Sequence, residues 1–298
     1  MNFLKRDELL FLVLWSSGYV GAKIGIPLSG TFTILFYRYA LVVLIVGLII
    51  GYKKQWQLPT IHTLTLGFLA HFFWLVCILK SFEYGMNAGS AALIAALQPI
   101  LTALVAAGVL AEKNTKLEWL GVLTGFVGVC IFVSGDRVFS GTPLWVYLLP
   151  LAATVSLTLI TIMERKNSSK QKKELPIMVS LFWQATVTLI LLIPLAWKFE
   201  NFYADLGINF LFSVAWLAIV VSILAYGMMF YLIRTREATR VSALQYFVPA
   251  TTMIIAYIVF KESVSLMGIF GLTITSIGFY LLHKGNSLKN HEGMKGSE

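Results

Sequence analysis

Long runs of apolar residues, separated by short polar breaks, follow one another along nearly the whole chain. A helix needs about 20 apolar residues to cross a bilayer, and the runs predict ten such helices. Their predicted bounds are 9–27, 30–51, 61–82, 87–110, 117–135, 143–163, 175–197, 208–233, 241–260 and 264–283. The predicted fold class is therefore an all-α membrane protein. The continuous runs differ from the alternating segments of a transmembrane barrel.

Composition agrees with this pattern. Only 12% of the 298 residues are charged and 58% are hydrophobic, which gives a mean hydropathy of +0.81. Soluble domains carry about 25% charged residues, so the predicted surrounding of this chain is the lipid bilayer. Cys77 and Cys130 fall within apolar runs and provide neither a disulfide framework nor a metal-ligand spacing. No cofactor and no metal are predicted.

Lysine and arginine residues are distributed unequally between the two sets of loops. With the N-terminus placed in the cytoplasm, 17 of them lie on the cytoplasmic side and 3 on the opposite side. The positive-inside rule associates such an excess with the cytoplasmic face. We therefore predict a multi-pass protein of the inner or plasma membrane with both termini in the cytoplasm. The net charge of +9 then reflects topology and requires no nucleic-acid partner.

The chain contains an internal repeat, because residues 86–134 align with residues 236–284 without a gap. The aligned pairs include Pro99 with Pro249, Glu112 with Glu262, Gly121 with Gly271 and Gly128 with Gly278. Each predicted unit has five spans, an odd number, so the two copies enter the membrane from opposite sides. The predicted organisation is two inverted five-helix repeats, 1–138 and 139–284, followed by a disordered cytoplasmic tail at 285–298.

Two prolines lie near the middle of predicted spans four and nine, where a helix breaker is unexpected. Pro99 and Pro249 each remove an amide donor and free the carbonyl four residues earlier. Within lipid, such groups are tolerated where they are buried or line a wet cavity. Matching helix kinks beside Gln98 and Gln245 therefore predict a central cavity between the repeats. The alternative is that proline is simply common in membrane helices.

Small residues form a stripe along each of spans five and ten, which allows close approach of helix backbones. The stripes consist of Gly121, Gly125 and Gly128 in one span and Gly268, Gly271, Thr275 and Gly278 in the other. We interpret them as packing surfaces that either join the two halves or form the face of a homodimer.

Several motifs resemble a known family. They are "LWSSGYVGAKIGIP" in span one, "FYRYA" in span two, the segment from "EYGMNAGS" to "VLAEK" through span four, and its second copy from "REATRVSALQYFVPA" onward. Over nearly the whole chain they resemble the EamA-type transporters of the drug/metabolite transporter superfamily. The resemblance implies export or exchange of small metabolites by alternating access. It leaves the substrate open, since relatives handle amino acids, other metabolites and drugs.

The chain departs from the related small multidrug proteins in one respect. Those proteins carry an essential glutamate in the middle of their first helix, whereas the only acid of span one here is Glu8, at its mouth. Proton-coupled extrusion of cationic drugs by that mechanism is therefore disfavoured.

Charged residues inside predicted spans are candidates for the site, because a charge at the bilayer centre is costly. Lys23 and Arg38 would attract the carboxylate of a substrate in a cavity. In the alternative, Lys23 and Lys80 extend to the headgroups and Arg38 pairs with Glu83. His71 shares a helix face with Trp74 and is either a proton-coupling group or a hydrogen-bonded structural residue.

Aromatic residues deep within the spans complete the candidate site. Trp15 and Tyr19 lie four apart on one face of span one, with Lys23 next on that face. Such a surface suits an amphipathic solute with a ring and a carboxylate, although packing is the alternative for each ring. The predicted substrate-binding residues are Trp15, Tyr19, Lys23, Arg38, His71, Trp74, Gln98, Trp183, Tyr226, Gln245 and Tyr246. Thr154, Thr158, Thr161 and Gln184 could add hydrogen bonds.

No nucleophile–base set, metal pair or phosphate-binding loop is found in the sequence, so an enzyme is not predicted. The predicted function is a secondary transporter that exports or exchanges a small-molecule substrate. Amino acids and related amphipathic carboxylates are the leading class. The alternatives are a multidrug or nucleotide-sugar-type carrier and a non-transporting membrane scaffold.

Overall fold

The computed structural model describes residues 5–109, 115–167, 175–235, 244, 247–262 and 265–295. Across these ranges the chain forms helices joined by short connections, and the described residues include no β-strand. The helices are α1 (Arg6–Gly25), α2 (Thr31–Tyr52), α3 (Ile61–Glu83), α4 (Ala88–Ala95), α5 (Gln98–Val109), α6 (Lys116–Ser140), α7 (Leu148–Asn167), α8 (Ile177–Glu200), α9 (208–235), α10 (Val248–Phe260) and α11 (Leu266–Lys295).

Eight helices within the described ranges are long and apolar enough to cross a membrane. The prediction of an all-α, multi-pass membrane protein is thereby confirmed. At predicted spans four and nine the structure has shorter apolar helices, Ala88–Thr102 and Val248–Phe260. Each contains a proline in the first turn of a helix, Pro99 in α5 and Pro249 in α10. Helix α11 continues to Lys295, so most of the predicted disordered tail at 285–298 is helical here.

The proline in "ALQPI" begins a helix rather than kinking one. Helix α4 ends at Ala95, and Pro99 is the second residue of α5, where a missing amide removes no helical hydrogen bond. The carbonyl of Ile94, just before this break, accepts the amide of Leu97 at 3.0 Å and the hydroxyl of Thr154 at 3.3 Å. Hydroxyl groups of a neighbouring helix therefore satisfy backbone exposed by the break.

A helix also begins beside a proline in the second half of the chain. Helix α10 begins at Val248 with Pro249 in its first turn, 150 positions after the start of α5. The two interrupted segments pack together, because a Cβ added at Gly89 would meet the side chain of Met253. The helices next to the two prolines thus pack against each other within the bundle.

Helices α3 and α9 each contain a π-helical segment, a second irregularity that the sequence did not predict. The segments are Gly67–Phe73 and Trp216–Ala225. Shifted by 150 positions, the second segment covers residues 66–75 and so includes the first. In α3 the carbonyls of Gly67 and Leu69 accept hydroxyl hydrogen bonds from Thr188 at 3.1 Å and Ser156 at 3.2 Å. Such segments are rare and occur frequently at functional sites.

The glycine stripes of α6 and α11 pack against each other, so within this chain they join the two halves. A Cβ added at Gly271 would lie 2.7 Å from the carbonyl oxygen of Gly128, and one at Gly278 would lie 2.8 Å from that of Gly121. Residues later in α6 contact residues earlier in α11, so the two helices run antiparallel. The absence of side chains is what permits this backbone approach.

Two carboxylates from distant parts of the chain cap the N-terminus of α2. Glu83 accepts the amide of Thr31 at 3.2 Å, and Glu200 accepts the amides of Phe32 and Thr33 at 3.1 and 2.6 Å. Carboxylates are favourable there because the first amides of a helix lack partners and the helix dipole is positive. The caps tie α2 to α3 and α8 at one end of the bundle, named here the Glu83 end.

Candidate functional site

A cavity lies between α1, α2, α3 and α9, from the middle of the bundle toward the Glu83 end. The cavity volume is about 30 Å³, and the cavity is partly open to the surroundings. Its described lining consists of Trp15, Gly18, Tyr19, Ala22, Arg38, Trp74, Leu75, Ile78, Leu79, Phe82, Val221 and Tyr226. Both halves of the chain contribute, and the lining is mostly apolar, as in small-molecule sites generally.

Arg38 carries the positive charge of this lining and is only 3% exposed. Its Nε donates a hydrogen bond to the hydroxyl of Ser222 at 3.0 Å, and its guanidinium lies 5.4 Å from the ring centre of Tyr39. Among the described residues Arg38 forms no ion pair. A guanidinium offers five donors in a planar fork that matches a carboxylate. The site therefore presents a buried cation whose other donors are available for an anion.

The predicted pairing of Arg38 with Glu83 is not what the structure shows. Glu83 instead contacts Lys80 Nζ at 2.8 Å and caps α2, while Lys80 lies 3.7 Å from Glu200. Each of these charges is already matched at the Glu83 end. Arg38, about two turns deeper in α2, remains without a carboxylate among the described residues.

Aromatic rings form the walls around the guanidinium. Trp15 of α1 lies 5.1 Å from Tyr226 of α9, between ring centres, and Tyr19 lies 6.3 Å from Phe82 of α3. Trp15 and Tyr19 are one helical turn apart, so both project from one face of α1. This face can accommodate the ring or aliphatic part of an amphipathic solute.

Trp74 adds a second unmatched hydrogen-bond donor to the cavity wall. The side chain is 8% exposed, and its indole Nε1 is buried without a hydrogen-bond partner among the described residues. A buried donor without an acceptor is unfavourable by about 1–3 kcal/mol. Such groups are uncommon in native structures, and here the donor belongs to a residue that lines the cavity.

His71 lies directly behind this wall. Its Nδ1 is 2.9 Å from the hydroxyl of Tyr39, and its Nε2 is 2.8 Å from Oε1 of Gln184 on α8. Its ring centre is 5.2 Å from that of Tyr226. Both ring nitrogens are therefore occupied, which matches the hydrogen-bonded arrangement considered from sequence. His71 therefore packs behind Tyr226, which lines the cavity, and is not itself part of the described lining.

Glycines place α1 close to α9 and thereby shape the cavity. A Cβ at Gly21 would lie 3.0 Å from the ring of Trp216, and one at Gly18 would lie 3.0 Å from Val221. Two hydrogen bonds fix the same interface: Ser213 Oγ donates to the carbonyl of Gly21 at 2.6 Å, and Trp216 Nε1 donates to Ser17 Oγ at 3.0 Å. The first span is thus held directly against the π segment of the other half.

Lys23 is not part of the described cavity lining. It forms an ion pair beside the cavity, at the Glu83 end. Its Nζ contacts Oε1 of Glu262, just beyond α10, and donates to the carbonyl of Met86 at 3.3 Å. Ala22, the preceding residue, does line the cavity. The pair therefore connects α1 to the second half of the chain at the Glu83 end, next to the site.

The remaining predicted site residues lie elsewhere or outside the described residues. Gln98 donates to the hydroxyl of Thr161 at 3.2 Å and is not in the described lining. Trp183 donates to the carbonyl of Gln57 at 2.8 Å, in the loop before α3. Gln245 and Tyr246 lie outside the described residues. The structure thus brings together Trp15, Tyr19, Arg38, Trp74 and Tyr226.

Sequence reasoning missed the apolar stripe of α3 and the hydroxyl that holds Arg38. At helical spacing, the face of Trp74 continues through Leu75, Ile78, Leu79 and Phe82. This signal is present in the sequence, but all packed helices share it. Ser222 is a single hydroxyl within an apolar run, and only the fold reveals that it faces Arg38. No cluster of His, Cys, Asp or Glu suited to a metal occurs in the part of the chain that the structure describes.

Known proteins resemble this chain in sequence and in fold. A chain from Salmonella typhimurium named "Probable amino-acid metabolite efflux pump" is 25% identical over 281 residues, with 92% of each chain covered. "Uncharacterized transporter YdfC" of Bacillus subtilis is 23% identical, with 89% of this chain and 86% of the relative covered. A solved crystal structure superimposes with a TM-score of 0.65 at 18% identity, covering 95% of this chain and 97% of the other, which supports the fold alone.

The sequence profile of the EamA-like transporter family matches the chain twice, at residues 9–134 and 144–283. The two matches together span most of the chain. The family and the relatives named above are transporters, so the prediction that the protein is not an enzyme is confirmed. This chain is a membrane transporter that belongs to the EamA-like transporter family.

Proposed function

We propose that this protein exports or exchanges amphipathic carboxylates, with amino acids and related metabolites as the leading class, by alternating access across the inner or plasma membrane. The observation that carries the proposal is the buried guanidinium of Arg38, which has no carboxylate partner among the described residues and lies on the wall of an aromatic cavity. Removing a cation from water is costly unless an anion accompanies it. A substrate carboxylate would supply that anion.

The rings and aliphatic side chains around Arg38 indicate the rest of the substrate. Trp15, Tyr19 and Tyr226 offer flat apolar surfaces within reach of the guanidinium. An amphipathic solute can place its carboxylate on Arg38 and its side chain among the rings. The relative named as a probable amino-acid metabolite efflux pump is consistent with this substrate class.

Alternating access requires two parts that can move against each other, and we propose that these are two inverted five-helix repeats. The matching helix breaks, the matching π segments and the two matches to one family profile support a duplication. The antiparallel packing of α6 and α11, which occupy equivalent places in the repeats, supports their inversion. The cavity is lined by both halves. Rocking of one half against the other would open it to one side of the membrane or to the other.

We further propose that the Glu83 end faces away from the cytoplasm and that both termini are cytoplasmic. The loops at the opposite end carry most of the lysine and arginine residues. Labelling of single cysteines introduced in the two sets of loops, with a membrane-impermeant thiol reagent on intact cells, tests this orientation.

The transport proposal is tested by reconstituting the full chain in proteoliposomes. Counterflow is measured with a panel of labelled amino acids, other carboxylates and organic cations, with and without a pH gradient. We expect carboxylates to exchange, and Arg38→Gln to abolish the exchange, while Lys198→Gln, an exposed control at the end of α8, leaves it intact. Movement of cations alone would favour a multidrug carrier. No movement of any solute would favour a non-transporting scaffold.

A further inference from the structure

The described cavity lining contains one charged group, the guanidinium of Arg38, and no carboxylate. A zwitterionic amino acid brings two charges into this space: a carboxylate, which Arg38 can pair with, and an ammonium group. The ammonium group would lose its hydration without meeting an anionic partner, which is unfavourable in a low-dielectric site.

Three carboxylates at the Glu83 end of the bundle are already engaged. Glu262 pairs with Lys23, Glu83 contacts Lys80 and the first residue of α2, and Glu200 caps the next two amides of that helix. None of the three belongs to the described lining. Turning one inward to meet an ammonium group would uncap a helix or leave Lys23 without its partner.

The cavity is better provided with surfaces for the other parts of a solute. Trp74 lines the cavity and carries a buried, unmatched N–H, a donor that suits a carboxylate or a carbonyl oxygen and not an ammonium group. Leu75, Ile78, Leu79 and Phe82 form an apolar strip along α3. Rings such as Trp15 attract a cation through their faces, but this recovers only part of the lost hydration.

We infer that the cavity selects apolar or aromatic monocarboxylates whose nitrogen is absent or uncharged, such as aryl-alkanoic acids and N-acyl amino acids, over free zwitterionic amino acids. The inference rests on the proposed function, because it assumes that Arg38 binds the carboxylate of a transported solute. It keeps the amphipathic carboxylates of the proposed function but replaces free amino acids, their leading members there, with solutes that have one negative charge, an apolar body and no ammonium group.

Four solutes that share a phenyl ring separate the possibilities: phenylalanine, N-acetylphenylalanine, 3-phenylpropionate and phenethylamine. Each is supplied in labelled form to proteoliposomes of the full chain at neutral pH, and the leak into protein-free liposomes is subtracted. We expect N-acetylphenylalanine and 3-phenylpropionate to exchange at least tenfold faster than phenylalanine. We expect phenethylamine not to exchange above the leak.

The outcomes distinguish this inference from the function on which it rests. If phenylalanine exchanges as fast as N-acetylphenylalanine and 3-phenylpropionate, the inferred selection against an ammonium group is wrong, but the proposed transport of carboxylates stands. Exchange of phenethylamine alone overturns both. Exchange of none of the four above the leak removes the inference together with the proposed function for this class of solute.

A substitution in the wall gives an independent measurement. Leu79→Glu places a carboxylate in the lining, and Leu79→Gln is its uncharged control of similar size. We expect the glutamate variant, but not the glutamine variant, to move the phenylalanine-to-N-acetylphenylalanine rate ratio at least fivefold toward phenylalanine. An unchanged ratio in a variant that elutes as wild type in size-exclusion chromatography contradicts the inference. The wild-type panel decides the question if the variants do not fold.

Discussion

Arg38 and Ser222 lie 184 positions apart in the sequence, yet the guanidinium Nε donates to the serine hydroxyl over 3.0 Å. Ser222 belongs to the π segment of α9, so the irregular helix of one half orients the charge supplied by the other. A hydrogen bond to a charged group contributes about 1.5–3 kcal/mol. This contact links the two halves directly at the centre of the site.

Ser222→Ala is therefore expected to weaken transport without abolishing it. The guanidinium keeps its charge but loses the acceptor that orients it, and a loss of about 1.5 kcal/mol corresponds to a roughly tenfold higher half-saturating concentration. Counterflow at increasing substrate concentration measures this change. Ser276→Ala is the control, because that exposed hydroxyl bonds only to the carbonyl of Leu272 one turn earlier. Equal behaviour of the two variants would contradict the positioning role of Ser222.

Arg38→Lys tests whether the site uses the shape of the guanidinium as well as its charge. A lysine retains the positive charge but cannot form the planar pair of hydrogen bonds to a carboxylate. We expect transport to fall at least tenfold, which corresponds to about 1.4 kcal/mol. A variant with wild-type rates would indicate that only the electrostatic potential matters. Thermal unfolding in detergent serves to exclude misfolding.

Trp74→Phe separates stability from binding. The substitution removes an indole N–H that has no partner among the described residues, so we expect the thermal midpoint of the substrate-free protein to be unchanged or higher. Substrate affinity is expected to fall severalfold if a bound anion draws this N–H, which is buried in the substrate-free structure, into a hydrogen bond. Trp145→Phe, at an exposed position, is the control. Lower stability with unchanged affinity would argue that Trp74 only packs.

Lys23 and Glu262 provide a charge-reversal test at the Glu83 end of the cavity. Each single reversal, Lys23→Glu or Glu262→Lys, leaves two like charges facing each other and is expected to reduce transport strongly. The double reversal restores opposite charges and is expected to recover a measurable part of the rate. If the double variant is no better than the worse single variant, the pair does not act as a unit.

Close packing of α6 on α11 predicts different results for two glycine-to-alanine substitutions. Gly271→Ala would place a methyl group 2.7 Å from the carbonyl of Gly128, and such overpacking is unfavourable by about 1–3 kcal/mol. Gly227→Ala in α9 adds a methyl group where nothing lies within 4 Å, and alanine favours a helix. We expect a lower thermal midpoint for the first variant and no decrease for the second. Equal thermal midpoints for the two variants would show that α6 and α11 can move apart without loss of stability.

Much of the candidate site could be anticipated from single helices. The i, i+4 spacing of Trp15 and Tyr19 places both on one face of α1, whatever that helix contacts. A charge within an apolar run is costly wherever it lies, which singled out Arg38. The same reasoning also selected Trp183, which binds the loop carbonyl of Gln57 instead of lining the cavity. The position of a residue within a membrane span does not indicate which neighbouring helix or loop its side chain faces.

The sequence alone determined the membrane class, the fixed 150-residue offset between the halves and the positions of the interrupted helices, because these depend on apolar length, self-similarity and the chemistry of proline. Only the tertiary structure decided which charges are matched. Lys23 meets Glu262 and Lys80 meets Glu83, whereas Arg38 meets the hydroxyl of Ser222. Long-range pairing depends on how helices rotate and pack against each other, and the energy of a buried charge depends on that pairing.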